Sequence, residues 1–285
     1  MEYNSVLLRN SVEMPRLILG CPLILSTANI SKEKFFNTIS TVLNIGIRGL
    51  DTSHDYGRSE DLLGTVLSRL MKKGLDRNSF FLTTKIGNGQ QIEGNIEKYV
   101  DDALRKLKLD QIDTMLLHWP LPDVYLRNWE KLKKIYEKGK IKAIGISNGK
   151  IRHLEKIYES GLMLPHILQT EIHPLHTCEL EYDYCVKNDI ALQACTSLCS
   201  MVPMIKENDV LLSIASEHNK TLPQIILRWH IQSNISPIFR SFNDRHLKEM
   251  ADAFDFSLND VEMKRISSQN INYRFHPESL NCPGF

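Results

Sequence analysis

The sequence has no apolar run approaching the ~20 residues of a membrane span, no Pro- or Ser-rich linker, no low-complexity segment and no G-x-G-x-x-G turn. The first absence excludes a membrane-spanning helix. The next two leave no place to divide the chain, so residues 1–285 are read as one domain. The last removes the phosphate-binding turn that a doubly wound dinucleotide fold needs after an early strand. Charge of neither sign dominates. Lys and Arg number 35, Asp and Glu 34, and a net charge of +1 leaves no electrostatic footprint for nucleic acid or an anionic membrane. The expected partner is a small molecule, and the expected state is a monomer.

Cysteine is sparse and scattered, with six thiols at Cys21, Cys178, Cys185, Cys195, Cys199 and Cys282. No two form a C-x-x-C, and His173 and His176, near Cys178, lack the paired spacing of a structural zinc site. Neither a disulfide framework nor a metal is expected. Without an N-terminal apolar signal segment, the thiols are expected to be reduced and the protein cytoplasmic.

What is present is a chain with 42% hydrophobic residues, enough to bury one sizeable core. Short apolar runs alternate with amphipathic stretches throughout. Strands are expected at 17–20, 47–50, 80–85, 112–118, 141–146, 166–170, 190–195 and 236–239. Helices are expected after Ser31, after Ser59 as a possible N-cap, over 92–107, around Trp129, around 223–229 and from Asp244 towards Phe254. About eight strand–helix units in a chain of 285 residues, against the ~250 usual for such a barrel, make an α/β fold, a single-domain (β/α)8 TIM barrel, the expected architecture. In such a barrel chemistry gathers where strands end. Asp51, Lys85, His118, Ser147, Gln169, Cys195 and Arg240 all fall there.

The densest stretch is Ile47-Arg48-Gly49-Leu50-Asp51-Thr52-Ser53-His54-Asp55-Tyr56, an apolar run that ends in an acid and is followed by a phenol. Alone, Asp51 could cap a turn and Tyr56 could be an ordinary half-buried phenol. Lys85, ending Phe81-Leu82-Thr83-Thr84, is either a snorkelling ammonium or a fixed cation. As a fixed cation beside Tyr56 it would favour phenolate and draw the phenol down from its ordinary value of about 10. Asp51 would hold Lys85 charged. His118, where Leu116-Leu117 stops, is a structural histidine or a catalyst.

These segments resemble the aldo-keto reductase family. Gly46, Arg48, Asp51, Thr52, Tyr56, Glu60, Leu63 and Gly64 match its first motif nearly in register, and Leu116-Leu117-His118-Trp119-Pro120 is similar to its Leu-x-His-Trp-Pro. The resemblance implies a catalytic tetrad of Asp51, Tyr56, Lys85 and His118, with Tyr56 as general acid in carbonyl reduction and His118 bonding the carbonyl oxygen. It also implies NADPH (NADP+) as cofactor. Gly139-Lys140-Ile141-Lys142-Ala143-Ile144-Gly145-Ile146-Ser147-Asn148 and Gln169-Thr170-Glu171-Ile172-His173-Pro174 resemble blocks whose Ser147, Asn148 and Gln169 equivalents bind the nicotinamide carboxamide. Arg240, Ser241, Phe242 and His246 lie in a segment similar to the one that clamps the 2′-phosphate. Gly20, Cys21, Asp51, Cys195 and Leu198 complete the implied cofactor-binding set.

Departures from the pattern are local. Arg240 and His246 replace a lysine and an arginine, and Met250 stands where an asparagine near the adenine is common. Cys195 takes the place of the ring that stacks on the nicotinamide. Ile86-Gly87-Asn88 lacks the tryptophan that walls the substrate pocket. The implied activity is NADPH-dependent reduction of an aldehyde or ketone to an alcohol. An imine or enone reductase, and a catalytically weak NADP(H)-binding sensor or regulatory subunit, remain as alternatives.

Overall fold

Strands β3 (Ile18–Gly20), β4 (Gly49–Asp51), β5 (Phe81–Ile86), β6 (Ile112–Leu117), β7 (Ile141–Ser147), β8 (Ile167–Glu171), β9 (Ala191–Cys195) and β10 (Ile235–Phe239) pair in chain order, all parallel, and β10 closes back on β3. Two short strands precede them, β1 (Ser5–Leu7) and β2 (Glu13–Pro15), paired antiparallel. This computed structural model describes residues 5–24 and 27–277. Cys282 and the end of the tail lie outside them. Among the described residues no helix is long and apolar enough to cross a membrane.

The expected α/β barrel is what forms. Every residue of β4, β5, β6, β8 and β10 is buried, as continuous apolar runs covered by helices on one side and by the barrel interior on the other require. Ser31 caps the helix Lys32–Asn44 by accepting the Lys34 N–H. Gly46, at φ 90°, turns the chain out of that helix. Strand β4 begins two residues later than expected. A Cβ at Gly49 would stand 2.7 Å from Ile18 Cγ1, so glycine permits the close approach of β4 to β3.

Two expectations about helices are corrected. Ser59 does not cap its helix, Ser59–Met71, because Arg58 is the N-cap and has no side-chain cap bond. The Ser59 hydroxyl instead donates to the Cys21 carbonyl and accepts from Thr52 Oγ1. The helix expected over 92–107 is two, Asn88–Glu93 and Ile96–Leu107, broken where Gly94 turns left-handed at φ 72°. The hairpin β1–β2 was not foreseen. Its Val6 and Met14 share an apolar cluster with Leu8, Phe81, Leu116, Ala143 and Ile167, which seals the end of the barrel where the strands begin.

Candidate active site

At the opposite end, where the strands finish, β3, β4 and β5 run in register with Gly20 beside Asp51 and Asp51 beside Thr83. Lys85 lies two residues further along β5. Its Nζ donates to Asp51 Oδ1 at 2.6 Å and to the Thr52 carbonyl at 2.9 Å, with both charged side chains buried. Burial alone would lower the ammonium, but Asp51 and the Tyr56 phenol outweigh it and the lysine is held above its ordinary range. Lys85 is thus a fixed cation rather than a snorkelling one.

Asp51 Oδ2 accepts from Gln169 Nε2 at 2.9 Å, and the same amide donates to Gln193 Oε1 at 2.8 Å. Gln193 Nε2 in turn reaches the thioether of Met14 at 3.1 Å. A chain of polar groups therefore descends from Lys85 through the barrel interior to the hairpin at its foot. Gln193 was not singled out from sequence, since one glutamine inside an apolar strand signals nothing by itself.

Tyr56, half-buried on the loop after β4, places its ring 4.9 Å from Lys85 Nζ and edge-on to the His118 ring, with centroids 5.7 Å apart. Lys85 does pull the phenol down, as expected, but burial outweighs it and the net shift is upward. Burial pushes Tyr56 up to about 12, Lys85 pulls the other way, and Asp51 adds to the rise. The physical reason is that the cost of desolvating a phenolate outweighs the pull of the Lys85 charge, which Asp51 partly matches. Tyr56 therefore holds its proton.

His118 follows β6. Its Nδ1 faces Asp55 Oδ2 at 2.7 Å and Ser53 Oγ at 3.3 Å. Burial holds the imidazole below its ordinary range, with Asp55 opposing and Lys85 assisting. Asp55 lies at the exposed rim of the site, and although partial desolvation works against it, His118 and the Asn88 backbone N–H hold its carboxyl below the ordinary range. Neither Asp55 nor Ser53 was a sequence candidate. The only available signal was their position between Asp51 and Tyr56.

Ser147 ends β7 and pairs with Gln169 on β8. Asn148 sits at φ 60°, a left-handed conformation that asparagine tolerates. Its amide donates to the His118 carbonyl and to Ser147 Oγ, and Ser147 Oγ donates to Gln169 Oε1 at 3.5 Å. The three cofactor candidates Ser147, Asn148 and Gln169 thus stand together beside the tetrad. Because the Gln169 amide nitrogen serves Asp51 and Gln193, what this trio presents outward is mainly oxygen acceptors.

The remaining candidates are more dispersed. Gly20 is buried at the end of β3. The Cys21 side chain, expected at the cofactor, is buried, and its thiol points back to the Leu19 carbonyl at 3.6 Å. Cys195 ends β9 opposite Glu171, partly exposed, with burial pushing its thiol up to about 12. Leu198 is partly buried against the core. Arg240 is exposed just past β10, followed by part-buried Ser241 and Phe242, whose ring lies 6.3 Å from Phe35. Arg245 and His246 are exposed on the helix Asp244–Ala251. Met250 is buried in the core, so it packs the helix down rather than facing a ligand.

Glu171, one residue beyond Thr170 on β8, is buried, and it accepts from His173 Nε2 at 3.0 Å and from the backbone N–H groups of Phe275 and His276 at 2.6 and 2.9 Å. These bonds tie the C-terminal segment to the site end of the barrel and hold the carboxyl down at about 2, against the cost of burial. A cavity of about 950 Å³ at the opposite end carries Arg48, Asp113 and Lys142. Asp113 is paired there with Arg77 at 2.6 Å and Lys142 at 2.8 Å, so it serves the fold and lies away from the residues above.

A profile of the aldo/keto reductase family matches residues 16–271. The chain is 34% identical to glyoxal reductase of Bacillus subtilis, covering 96% of this chain and 95% of that one. Among solved structures, it is similar to an aldo-keto reductase from a Medee basin deep-sea metagenome library (34% identity, TM-score 0.86, 95% and 96% of the two chains). It is also similar to an aldo-keto reductase of the silkworm Bombyx mori crystallised with NADPH (26% identity, TM-score 0.89, 96% and 89%). With the barrel closed and the strand-end residues assembled, this chain belongs to the aldo/keto reductase family.

Proposed function

We propose that the protein is an NADPH-dependent carbonyl reductase in which Tyr56 delivers a proton to the carbonyl oxygen of an aldehyde or ketone. The observation that carries this reading is the convergence of Asp51, Tyr56, Lys85 and His118 at the ends of three neighbouring strands, with the Lys85 ammonium 4.9 Å from the Tyr56 ring. The residues present fit the cofactor. Oxygen acceptors on Ser147, Asn148 and Gln169 suit the N–H groups of a carboxamide, and exposed Arg240 and Arg245 suit a phosphate, which a guanidinium grips through two parallel bonds. When bound, NADPH supplies the hydride.

The chain's own groups do the rest. Tyr56, protonated in the resting site, donates to the carbonyl oxygen as negative charge gathers there, and Lys85 lies close enough to offset the phenolate that results. Asp51 keeps the ammonium charged and aimed, and Gln169 fixes Asp51. The five free thiols among the described residues suit a reducing cytosol, and the proposed working state is a monomer.

Glyoxal, named for the Bacillus subtilis relative, is the first substrate to try, within a panel of aldehydes, ketones, imines and enones monitored by NADPH consumption. Turnover of carbonyls above background supports the reading. NADPH binding without turnover of any panel member would sink it in favour of a sensor, and turnover confined to imines or enones would reassign the reaction.

A further inference from the structure

Glu60 is a carboxylate only 2% exposed in the first turn of the helix Ser59–Met71, shortly past Tyr56, and the chemistry above makes no use of it. It faces back towards β5. Its Oε1 accepts from Thr84 Oγ1 at 2.8 Å, and its Oε2 accepts from Lys106 Nζ at 3.3 Å. The same ammonium meets His54 Nδ1 at 3.1 Å, and His54 belongs to the loop that carries Tyr56. Burial opposes the charge on Glu60, but His54, Thr84 and Lys106 outweigh it and hold the carboxyl below its ordinary range. The carboxylate is therefore ionised and bonded through both oxygens.

Thr84 is the neighbour of Lys85, and successive strand residues point to opposite faces. Lys85 turns into the barrel, where it hydrogen-bonds the Tyr56 hydroxyl, while Thr84 turns outward to the helix layer and Glu60. The Thr84–Glu60 bond thus closes a ring in which β5 holds the cation, the helix start holds the end of the loop, and Tyr56 lies between them. A second tie is the His54 backbone N–H, which donates to the Lys85 carbonyl at 3.2 Å. The helix itself is a fixed base. A Cβ at Gly64 would fall 2.1 Å from the Lys106 carbonyl oxygen, so it lies directly on the helix Ile96–Leu107.

We infer that Glu60 is a positioning residue that holds the Tyr56 loop against β5 and so keeps the phenol in place beside Lys85 for proton delivery. The catalytic half of this inference rests on the reductase reading above. A displacement of about 1 Å from the productive geometry can cost 10²-fold in rate. The cofactor candidates Ser147, Asn148, Gln169 and Arg240 stand on or just past other strands, so the effect falls on kcat and leaves NADPH affinity alone.

The test compares the wild type with Glu60→Leu, Thr84→Val and Thr84→Ser. Leucine fills the space of the carboxylate without its bonds, valine removes only the Thr84 hydroxyl, and serine keeps it. Because Glu60→Leu strands the Lys106 charge and can unfold, the Thr84 pair carries the decision. Carbon-13 NMR of Cζ-labelled tyrosine in the resting protein, with Tyr56 assigned through Tyr56→Phe, reads the surroundings of the phenol without turnover. The Tyr56 signal is expected to move in Glu60→Leu and Thr84→Val and to return to its wild-type position in Thr84→Ser. With the best carbonyl of the panel, kcat should fall roughly ten- to hundredfold in the first two and recover in the third, while NADPH affinity, from fluorescence titration, stays unchanged. A Tyr56 signal that does not move in Thr84→Val, a loss of NADPH affinity as large as the loss in kcat, or a Thr84→Ser protein as slow as Thr84→Val overturns the inference. Absence of turnover on every carbonyl would instead overturn the reductase reading, and the resting Tyr56 signal, which needs no substrate, then decides the placement of the loop by itself.

Discussion

Lys85 Nζ lies 2.6 Å from Asp51 Oδ1 with the two side chains only 1% and 4% exposed. Removing one member of such a pair leaves the other charge buried and uncompensated, a loss of about 3–5 kcal/mol. Lys85→Met is therefore expected to unfold at markedly lower urea concentration than the wild type. Adding Asp51→Asn to it should recover part of the difference, since the orphan charge is gone. A Lys85→Met protein as stable as its parent would contradict the pairing.

Tyr56→Phe removes one oxygen and keeps the ring packed edge-on to His118. If Tyr56 is the proton donor, kcat should fall by about 10²–10⁴-fold, the usual worth of general acid catalysis. Cofactor affinity, followed by fluorescence titration, should hardly move. Equal turnover by the two proteins would remove Tyr56 from the mechanism.

Arg240 is exposed just past β10, and Arg245 is exposed at the start of the next helix. Arg240→Ala is expected to weaken NADPH more than NADH, because charge-assisted hydrogen bonds of about 1.5–3 kcal/mol reach only the extra phosphate. The double variant with Arg245→Ala tests whether the second guanidinium compensates. Identical losses for both cofactors would place the phosphate elsewhere.

Glu171 supplies the clearest pH dependence. Its carboxyl titrates at about 2 in the folded protein against an ordinary 4.5, because His173 and two backbone N–H groups stabilise the ionised form more than burial disfavours it. A depressed folded value gives stability that is complete above the unfolded value and is lost as pH falls through the folded one. The size is about 3 kcal/mol for this buried group. Urea midpoints measured between about pH 5 and about pH 2 should fall for the wild type and change less for Glu171→Gln, which cannot ionise. Parallel slopes for the two proteins would show that this carboxyl is not the titrating group.

Much of this molecule could be read before folding. The barrel was legible because runs such as Phe81-Leu82-Thr83-Thr84 and Thr114-Met115-Leu116-Leu117 are buried on both faces, and the gathering of Asp51, Lys85 and His118 because each stands at or just past the end of such a run. The hairpin was not, since two three-residue strands carry no measurable period. Asp55 escaped because its meaning depends on Asn88 and His118, more than thirty positions away. The Tyr56 proton was misjudged for a related reason. Sequence names the neighbouring cation, whereas the depth of burial and the prior claim of Asp51 on Lys85 exist only in three dimensions.

The polar chain from Lys85 through Asp51, Gln169 and Gln193 stands on the sulfur of Met14, a fully buried residue of the hairpin. The hairpin is thus a foundation as well as a stopper. Each amide above it can face only one way while its neighbour below is in place, so the orientation of Asp51 is anchored at the far end of the barrel. A substitution at Met14 that takes away the acceptor frees Gln193 to turn, and the disorder it introduces travels upward to the groups that hold the lysine.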